Sequence, residues 1–488
     1  MKMRNLSRLA NDYRSTSEEG AYVLYWMQAA QRFYYNPALE AAALTAAIRN
    51  LPLLVVFCVD QDVPEANLRH YTFMLQGLEE LANELNSKGI AIHICQGSAL
   101  EVLPYYLREC IALFCDRGYL NWQKELRLQL RGWCRSLEKS YYEIDTEAVV
   151  PVHLASTKEE YSAATLRTKI LKLLPLYLER EDPETYLKDL PRFQNQPLLH
   201  PGRPCFVPKK GNPHFLIQDL LPSLKVDRCV PPSQFYYGGR KEALRLLQEF
   251  LKHRYPSYAN RRSDPGLNLQ AELSPYLHFG QISPVELVLA AQEYTNIPLD
   301  SLSDLIKTKD GLEMWDANLA AFCEELIVRR ELGFNFCQYN PDYDQYSALP
   351  QWAERTLEEH SPDPRPTLYS IAELEAAKTH DTYWNAAQKE LLITGKMHSY
   401  MRMYWGKKVL EWSPDPQSAF YHLIYLNNRY SLDGRDPCSF AGIAWCFGKH
   451  DRPWQEREIF GSVRYMNSAG LERKFDMQAY LRRIKGLN

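Results

Sequence analysis

No apolar run in this 488-residue chain reaches the ~18 residues needed to span a bilayer. No membrane-crossing helix and no membrane partner are therefore expected. Residues 1–18 carry Arg, Asn and Asp but no apolar core, which argues against a secretory leader. The 11 cysteines show no CxxC pair and no Cys/His metal spacing. An odd, dispersed set predicts reduced thiols in a cytosolic or nuclear setting, and no metal site. No strand-like run is followed by GxGxxG or a P-loop, which excludes a standard dinucleotide or triphosphate site. Excess positive charge is also missing. The net charge is −3, so nucleic-acid binding requires a local basic face. There are no internal repeats and no low-complexity tail.

The length of 488 residues implies about two to four domains, and the apolar content is ordinary for a full-sized core. The first third alternates apolar runs with helix-period segments. Ala21–Met27, Leu53–Val59, Ile90–Cys95, Ile111–Cys115 and a start at Tyr142–Ile144 read as strands. His70–Leu85, Ala99–Arg108 and Trp122–Leu137 read as helices. Continuous apolar strands separated by helices predict an α/β domain with a doubly wound parallel sheet, over 20–157. Residues 158–234 read as a long interdomain linker. Six prolines between Pro191 and Pro213 exclude regular helix there, while Phe193, Phe206 and Phe215 suggest that it docks. From 235 to 488 the pattern is all-helical. Segments include Ala243–His253, Ala320–Glu331, Ile371–Ala377, Thr382–Ile393, Gln417–Leu426 and Met477–Ile484, and Ser283-Pro284-Val285-Glu286 reads as a capping box.

Within the helical part, Gly395–Trp412 (GKMHSYMRMYWGKKVLEW) reads as one helix. Met397, Met401, Tyr404, Trp405 and Trp412 recur at helical spacing, and Trp405 and Trp412 lie two turns apart on nearly one face. By itself such a stripe reads as core packing. Three further stretches stand with it. They are Glu272–Ser283 (ELSPYLHFGQIS) after Tyr258-Ala-Asn-Arg-Arg262, Glu324–Glu331 (EELIVRRE), and Leu426–Trp445 (LNNRYSLDGRDPCSFAGIAW), which continues to His450-Asp451-Arg452.

This combination resembles the photolyase/cryptochrome family, and in detail its class II cyclobutane pyrimidine dimer photolyases. LSPYLHFG is shared widely in that family, whereas MHSYMRMYWGKKVLEW, LDGRDP and GIAW are more specific to class II. The resemblance implies an α/β domain and a larger helical domain holding FAD, active in its reduced form. It also implies light-driven repair of dimers in UV-damaged DNA, a carbon–carbon lyase reaction. A deazaflavin-type antenna chromophore in the α/β domain is a further implication for class II. A monomer is expected.

Residue by residue, the resemblance puts flavin contacts at Tyr258, Arg262, Gln270, Ala271, Glu272, Leu273, Ser274, Arg402, Asn427, Asp433, Arg435 and Asp451. Arg262 and Asp451 match a pair that brackets the flavin, and a short polar loop before a helix start suits phosphate capture. Asn427 matches the residue beside the flavin N5 edge. A neutral amide there orients N5 without protonating it, unlike the aspartate of plant cryptochromes. Glu325 matches the glutamate that hydrogen-bonds the damaged bases, so that its carboxyl stabilises charge appearing only after electron transfer. Its neighbour Glu324 is expected to be plain helix surface. Met403 and Trp445 match residues that pack against a flipped dimer, since linked pyrimidines must leave the duplex to reach a buried flavin. Where much of the family has a second aromatic wall, this chain has Val328-Arg329-Arg330, and Arg329 is the substrate-side candidate.

Trp405, Trp384 and Trp412 match the class II electron-transfer chain, in that order from the flavin outward, with Trp412 near the surface. The class I route is absent, since its first position corresponds to Ile443. Lys407, Lys408, Arg452, Arg457, Arg473 and Lys474 are candidates for phosphate contacts. The rival readings are a (6-4) photolyase, a cryptochrome-like photoreceptor and a light-independent nucleic-acid binder. The class II motifs, the absence of a long tail after the last helix and the retained flavin and Trp positions argue against each in turn.

Overall fold

In the computed structural model, residues 7–487 are described apart from 18, 181, 196–198, 209–210 and 308–313. Seven strands form one sheet: β1 (Leu9–Tyr13), β2 (Tyr22–Met27), β3 (Leu53–Val59), β4 (Ala91–Gln96), β5 (Cys110–Asp116), β6 (Ser140–Ile144) and β7 (Cys205–Phe206). Their order is β1-β6-β5-β2-β3-β4-β7. The central five are parallel and the two edges antiparallel. The apolar runs are buried on both faces because helices Pro37–Arg49, Leu68–Ser87, Ala99–Leu107 and Asn121–Ser136 cover them. The winding reverses between β2 and β5, which opens a crevice beyond their carboxyl ends.

The two edge strands were not legible in the apolar pattern. Short β1 is half-exposed along its length. Two-residue β7 lies in the proline-rich stretch, parts of which (196–198 and 209–210) fall outside the described residues. That strand sets Cys205 opposite Cys95 of β4, and the two are joined as a disulfide. This departs from the expectation of reduced thiols, because register brings together cysteines 110 residues apart. Phe215 is fully buried, and Phe193 and Phe206 pack on the sheet's two cores. The Ala163–Leu173 helix buries Leu166 and Ile170 in the core of the helical part.

Three local expectations in the helical part change. Gly395 does not begin the aromatic helix but ends the preceding one, Thr382–Thr394, with φ +84°, a conformation that favours glycine. The aromatic helix runs Ser399–Trp412, with His398 as its N-cap. Ser283 does cap its helix by accepting from the Val285 N–H at 3.2 Å, but Glu286 turns away to bind Arg240. Between helices Met314–Cys323 and Arg330–Tyr339, Glu324–Arg329 is wound as a π-helix. Wide turns of this kind are frequent at functional sites.

Buried polar contacts hold the α/β domain against the helices. Asp116, at the end of β5, accepts the N–H groups of Gln28, Ala29 and Ala30 at 2.8, 2.9 and 3.2 Å. That loop abuts Gly280, whose φ is +63°, and Arg32 donates to the Gly280 carbonyl at 3.1 Å. Arg69 donates to carbonyls of Leu391 and Leu392 at the end of the Thr382–Thr394 helix, satisfying groups a helix end leaves open. Glu331 accepts from Val149 and Val150 at 2.7 and 3.2 Å.

Candidate active site

The loop Gln270–Ser274 and the Ser399–Trp412 helix meet in a network of charges. Glu272, at φ +64°, accepts from Tyr236 Oη at 2.7 Å and from Lys396 Nζ at 2.6 Å. Gln270 binds the backbone and side chain of Ser399, while Leu273 anchors the loop in the core and half-buried Ala271 packs beside it. Arg402 reaches Asp433 at 3.0 Å, and Ser274 hydrogen-bonds the same carboxylate. Burial alone would push Asp433 up, but the Arg402 guanidinium overrides it and holds the carboxyl well below its usual range. Glu272 is likewise held down by Lys396 against its burial. Both carboxylates are therefore charged and fixed.

Asn427 and Asn428, near the end of helix Pro416–Tyr430, are buried. The one hydrogen bond of the Asn427 amide is long, Nδ2 to Asn428 Oδ1 at 3.4 Å. Arg435, at φ +61°, donates its N–H to Asn428 Oδ1 at 3.0 Å and its guanidinium to the Asn428 carbonyl. Burial pulls the Arg435 guanidinium down to about 10.

Tyr258, Arg262 and Glu325 form a second group. The Arg262 guanidinium lies 5.7 Å from the Tyr258 ring centroid and 3.4 Å from Glu325 Oε1. Glu325 is 46% exposed whereas Glu324 is 9% exposed, paired with Arg167 at 2.5 Å and Arg329 at 3.4 Å. This reverses the expectation for Glu324: the π-turn points it inward, where it takes up Arg329, and leaves its neighbour open. Arg262 and Asp451 have different partners, since Asp451 pairs with Arg464 at 2.8 Å.

Arg464 sits between two indoles, 5.4 Å from Trp445 and 4.1 Å from Trp454. Exposed Arg452 covers Trp454 at 5.4 Å and exposed Arg457 lies 5.3 Å from Tyr465. Arg473 and Lys474 are exposed as well, whereas Met403 is half-buried. Two phosphate candidates are corrected. Lys407 is 0% exposed, with Nζ bonded to the Cys446 carbonyl and 5.1 Å from the Trp445 ring; Lys408 is buried and paired with Glu411. Both lie on the inner side of their helix, so neither reaches a phosphate.

The three indoles are contiguous. Trp405 and Trp384 stack at 6.4 Å with planes 10° apart, and Trp384 meets Trp412 edge-on at 5.7 Å. Trp412 is itself buried rather than near the surface, covered by Tyr369 at 5.4 Å and His380 at 5.3 Å. Ile443 is buried apolar core. Sequence reasoning passed over Lys396, Tyr236, Arg464 and Trp454. Lys396 stood inside the aromatic motif and Trp454 two residues from Arg452, the available signals for each.

Among the described residues, no cluster of three or more His, Cys, Asp or Glu is placed to hold a metal, and no helix is long and apolar enough to cross a membrane. A cavity of about 450 Å³ lies beyond the carboxyl ends of β2 and β3, bounded by Trp26, Gln28, Phe57 and Tyr71 on one side and Arg435 and Phe440 on the other.

A parallel sheet domain packed against a helical domain is the photolyase fold. It is shared with a class III photolyase from Agrobacterium tumefaciens (TM-score 0.70, 18% identity, 96% of this chain and 87% of that one). An archaeal photolyase structure from Sulfolobus tokodaii, described with two FAD molecules, shares it too (TM-score 0.66, 19% identity, 95% and 89%). The DNA photolyase family model matches residues 23–188. A deoxyribodipyrimidine photo-lyase of Methanothermobacter thermautotrophicus is 44% identical over 486 residues, 100% of this chain and 98% of its own. The chain belongs to the DNA photolyase family.

Proposed function

We propose that this chain is a class II deoxyribodipyrimidine photo-lyase that repairs cyclobutane pyrimidine dimers in UV-damaged DNA. The observation that carries the photo-lyase reading is the end-to-end likeness to an archaeal deoxyribodipyrimidine photo-lyase; the class II part rests on the motif resemblance. In this reading, 20–157 is the antenna domain, 158–234 the linker and 235–488 the FAD-binding catalytic domain.

The donor set fits FAD. Lys396, Arg402 and Arg435 supply cations, Ser274 and Gln270 polar groups beside helix starts, and Asp433 a fixed anionic acceptor. The amide of Asn427, buried with only one long hydrogen bond, has capacity left for a ligand. Bound and reduced, FAD would supply light-driven one-electron chemistry for splitting the cyclobutane ring. The chain's own part is positional. Glu325 offers a carboxyl to the flipped bases, Trp445 and Met403 give them an apolar wall, and Arg262 orients Glu325. Arg452 and Arg457 meet DNA phosphates, while Arg329 is engaged by Glu324. Trp405, Trp384 and Trp412 pass electrons inward when the cofactor is oxidised. The cavity between the domains has the size and aromatic lining that suit an antenna of deazaflavin type.

The test is a repair assay on dimer-containing DNA with FAD-loaded, reduced protein. Light is expected to restore pyrimidine absorbance and darkness to leave it unchanged. No recovery in light by protein with bound, reduced FAD would sink the reading in favour of a cryptochrome-like photoreceptor.

A further inference from the structure

The relay has a feature that the three tryptophans alone do not explain. Gln388 lies one turn beyond Trp384 on the Thr382–Thr394 helix, on the same face. It is 0% exposed, within the apolar core that holds Trp384 and Trp405, where a leucine would fill the space at less cost. Its side-chain oxygen accepts the Trp405 Nε1–H at 2.9 Å, and its Nε2 points to the Glu375 carbonyl at 3.5 Å. An indole N–H only donates, so the amide orientation follows from chemistry. The Trp384 Nε1–H, in turn, donates to the Trp405 main-chain carbonyl at 3.0 Å. Both inner indoles therefore end on amide oxygens, which accept hydrogen bonds but take no proton at neutral pH.

We propose that Gln388 is a positioning residue of the relay: it fixes the Trp405 ring in its stack on Trp384 and keeps the oxidised indole protonated, so that the hole moves outward instead of being trapped. This rests on the relay reading given above. One electron leaves the Trp405 ring for the light-excited oxidised flavin, and Trp405 becomes a radical cation. An indole that has lost an electron is a much stronger N–H acid than neutral indole. Facing a carboxylate it would shed its proton and become a neutral radical, whose reduction then needs a proton back. Facing the Gln388 amide it keeps its N–H bond, and an electron from the stacked Trp384 ring refills it. No N–H bond breaks at either ring, and the hole passes to Trp384 with charge conserved. The same hydrogen bond stabilises the cation, since its N–H is the more polar donor.

The experiment compares the FAD-loaded wild-type protein with Gln388→Leu and Gln388→Glu at equal flavin content. Two readouts are used: the Trp405 indole ¹H–¹⁵N resonance and transient absorption of the tryptophan radicals. Gln388→Leu is expected to lose the hydrogen-bonded indole shift and several-fold of the photoreduction yield. Gln388→Glu keeps the acceptor and the shape. With the introduced carboxylate ionised, verified by its infrared band, the cation-radical spectrum is expected to give way to that of the neutral radical. Wild-type yield in Gln388→Leu with the indole shift lost would overturn the proposal, as would an unchanged cation spectrum in Gln388→Glu with the introduced carboxylate ionised. Trp405→Phe separates the two levels. Normal photoreduction in that variant would sink the relay itself, whereas its loss there, with wild-type behaviour in Gln388→Leu, would sink only the role of Gln388.

Discussion

Gly280→Ala tests how rigidly the two domains are locked. Gly280 has φ +63°, and a Cβ built there would stand 1.7 Å from the Ala29 carbonyl oxygen and 2.9 Å from the Ala30 Cα. An ordinary C···O approach is about 3.3 Å, so the loop or the glycine must retreat by roughly 1.6 Å. The loop cannot yield cheaply. The Asp116 carboxylate holds three of its N–H groups, and Arg32 ties the Gly280 carbonyl to the same side. A left-handed alanine costs about 1–2 kcal/mol and overpacking about 1–3 kcal/mol, which together give about 2–5 kcal/mol. Urea titration followed by tryptophan fluorescence measures the loss, and limited proteolysis at the domain boundary reports whether the interface has opened. Ala29 and Phe279 border the interdomain cavity, so opening should also expose that cavity to a fluorescent hydrophobic dye. A midpoint within error of wild type, with unchanged proteolysis, would refute the argument that this contact is incompressible.

Four other predictions concern charged side chains. Glu324→Gln leaves Arg167 and Arg329 facing a neutral amide in a nearly buried site, costing about 3 kcal/mol of stability. Glu325→Gln should change stability by less than about 0.5 kcal/mol yet slow repair by on the order of 10²-fold; the reverse pattern in denaturation and repair assays would exchange their roles. Burial raises Glu331 and Glu147 to about 8. Their contribution to stability is complete below the unfolded carboxyl range and is lost as pH rises through about 8. Denaturation midpoints should therefore fall as pH rises toward and through 8, and Glu331→Gln should flatten that slope; an identical slope would discount Glu331. Arg452→Ala and Arg457→Ala should each lower the salt slope of DNA binding by about one unit, whereas Lys407→Met should leave it unchanged, a contrast that binding titrations at several salt concentrations decide.

The contacts among the candidate residues were in part legible because those residues are concentrated in a few short stretches. Asp433, Arg402 and the Gln270–Ser274 loop fall in three motifs and meet in one network. The parallel strands were legible because burial on both faces leaves near-continuous apolar runs. Strands β1 and β7 were not, since edge strands need little apolar sequence and their pairing partners lie more than a hundred residues away. Glu324 and Glu325 show the limit most clearly. Adjacent and chemically identical, they are separated only by the wide turn that aims one at Arg167 and the other at Arg262.

Residue order alone carried the strand–helix alternation and the helical second half, because each is a property of local periodicity and residue type, while the set of three indoles came from the resemblance of whole motifs. What those residues face was set by packing in three dimensions. It buried Lys407 and Lys408, which composition alone would count as surface charge. It paired Cys95 with Cys205 and enclosed Trp412 beneath Tyr369 and His380. It also set the oxygen of Gln388 on the Trp405 N–H. Burial, register and hydrogen-bond partner are relations between distant segments, and no local pattern encodes them.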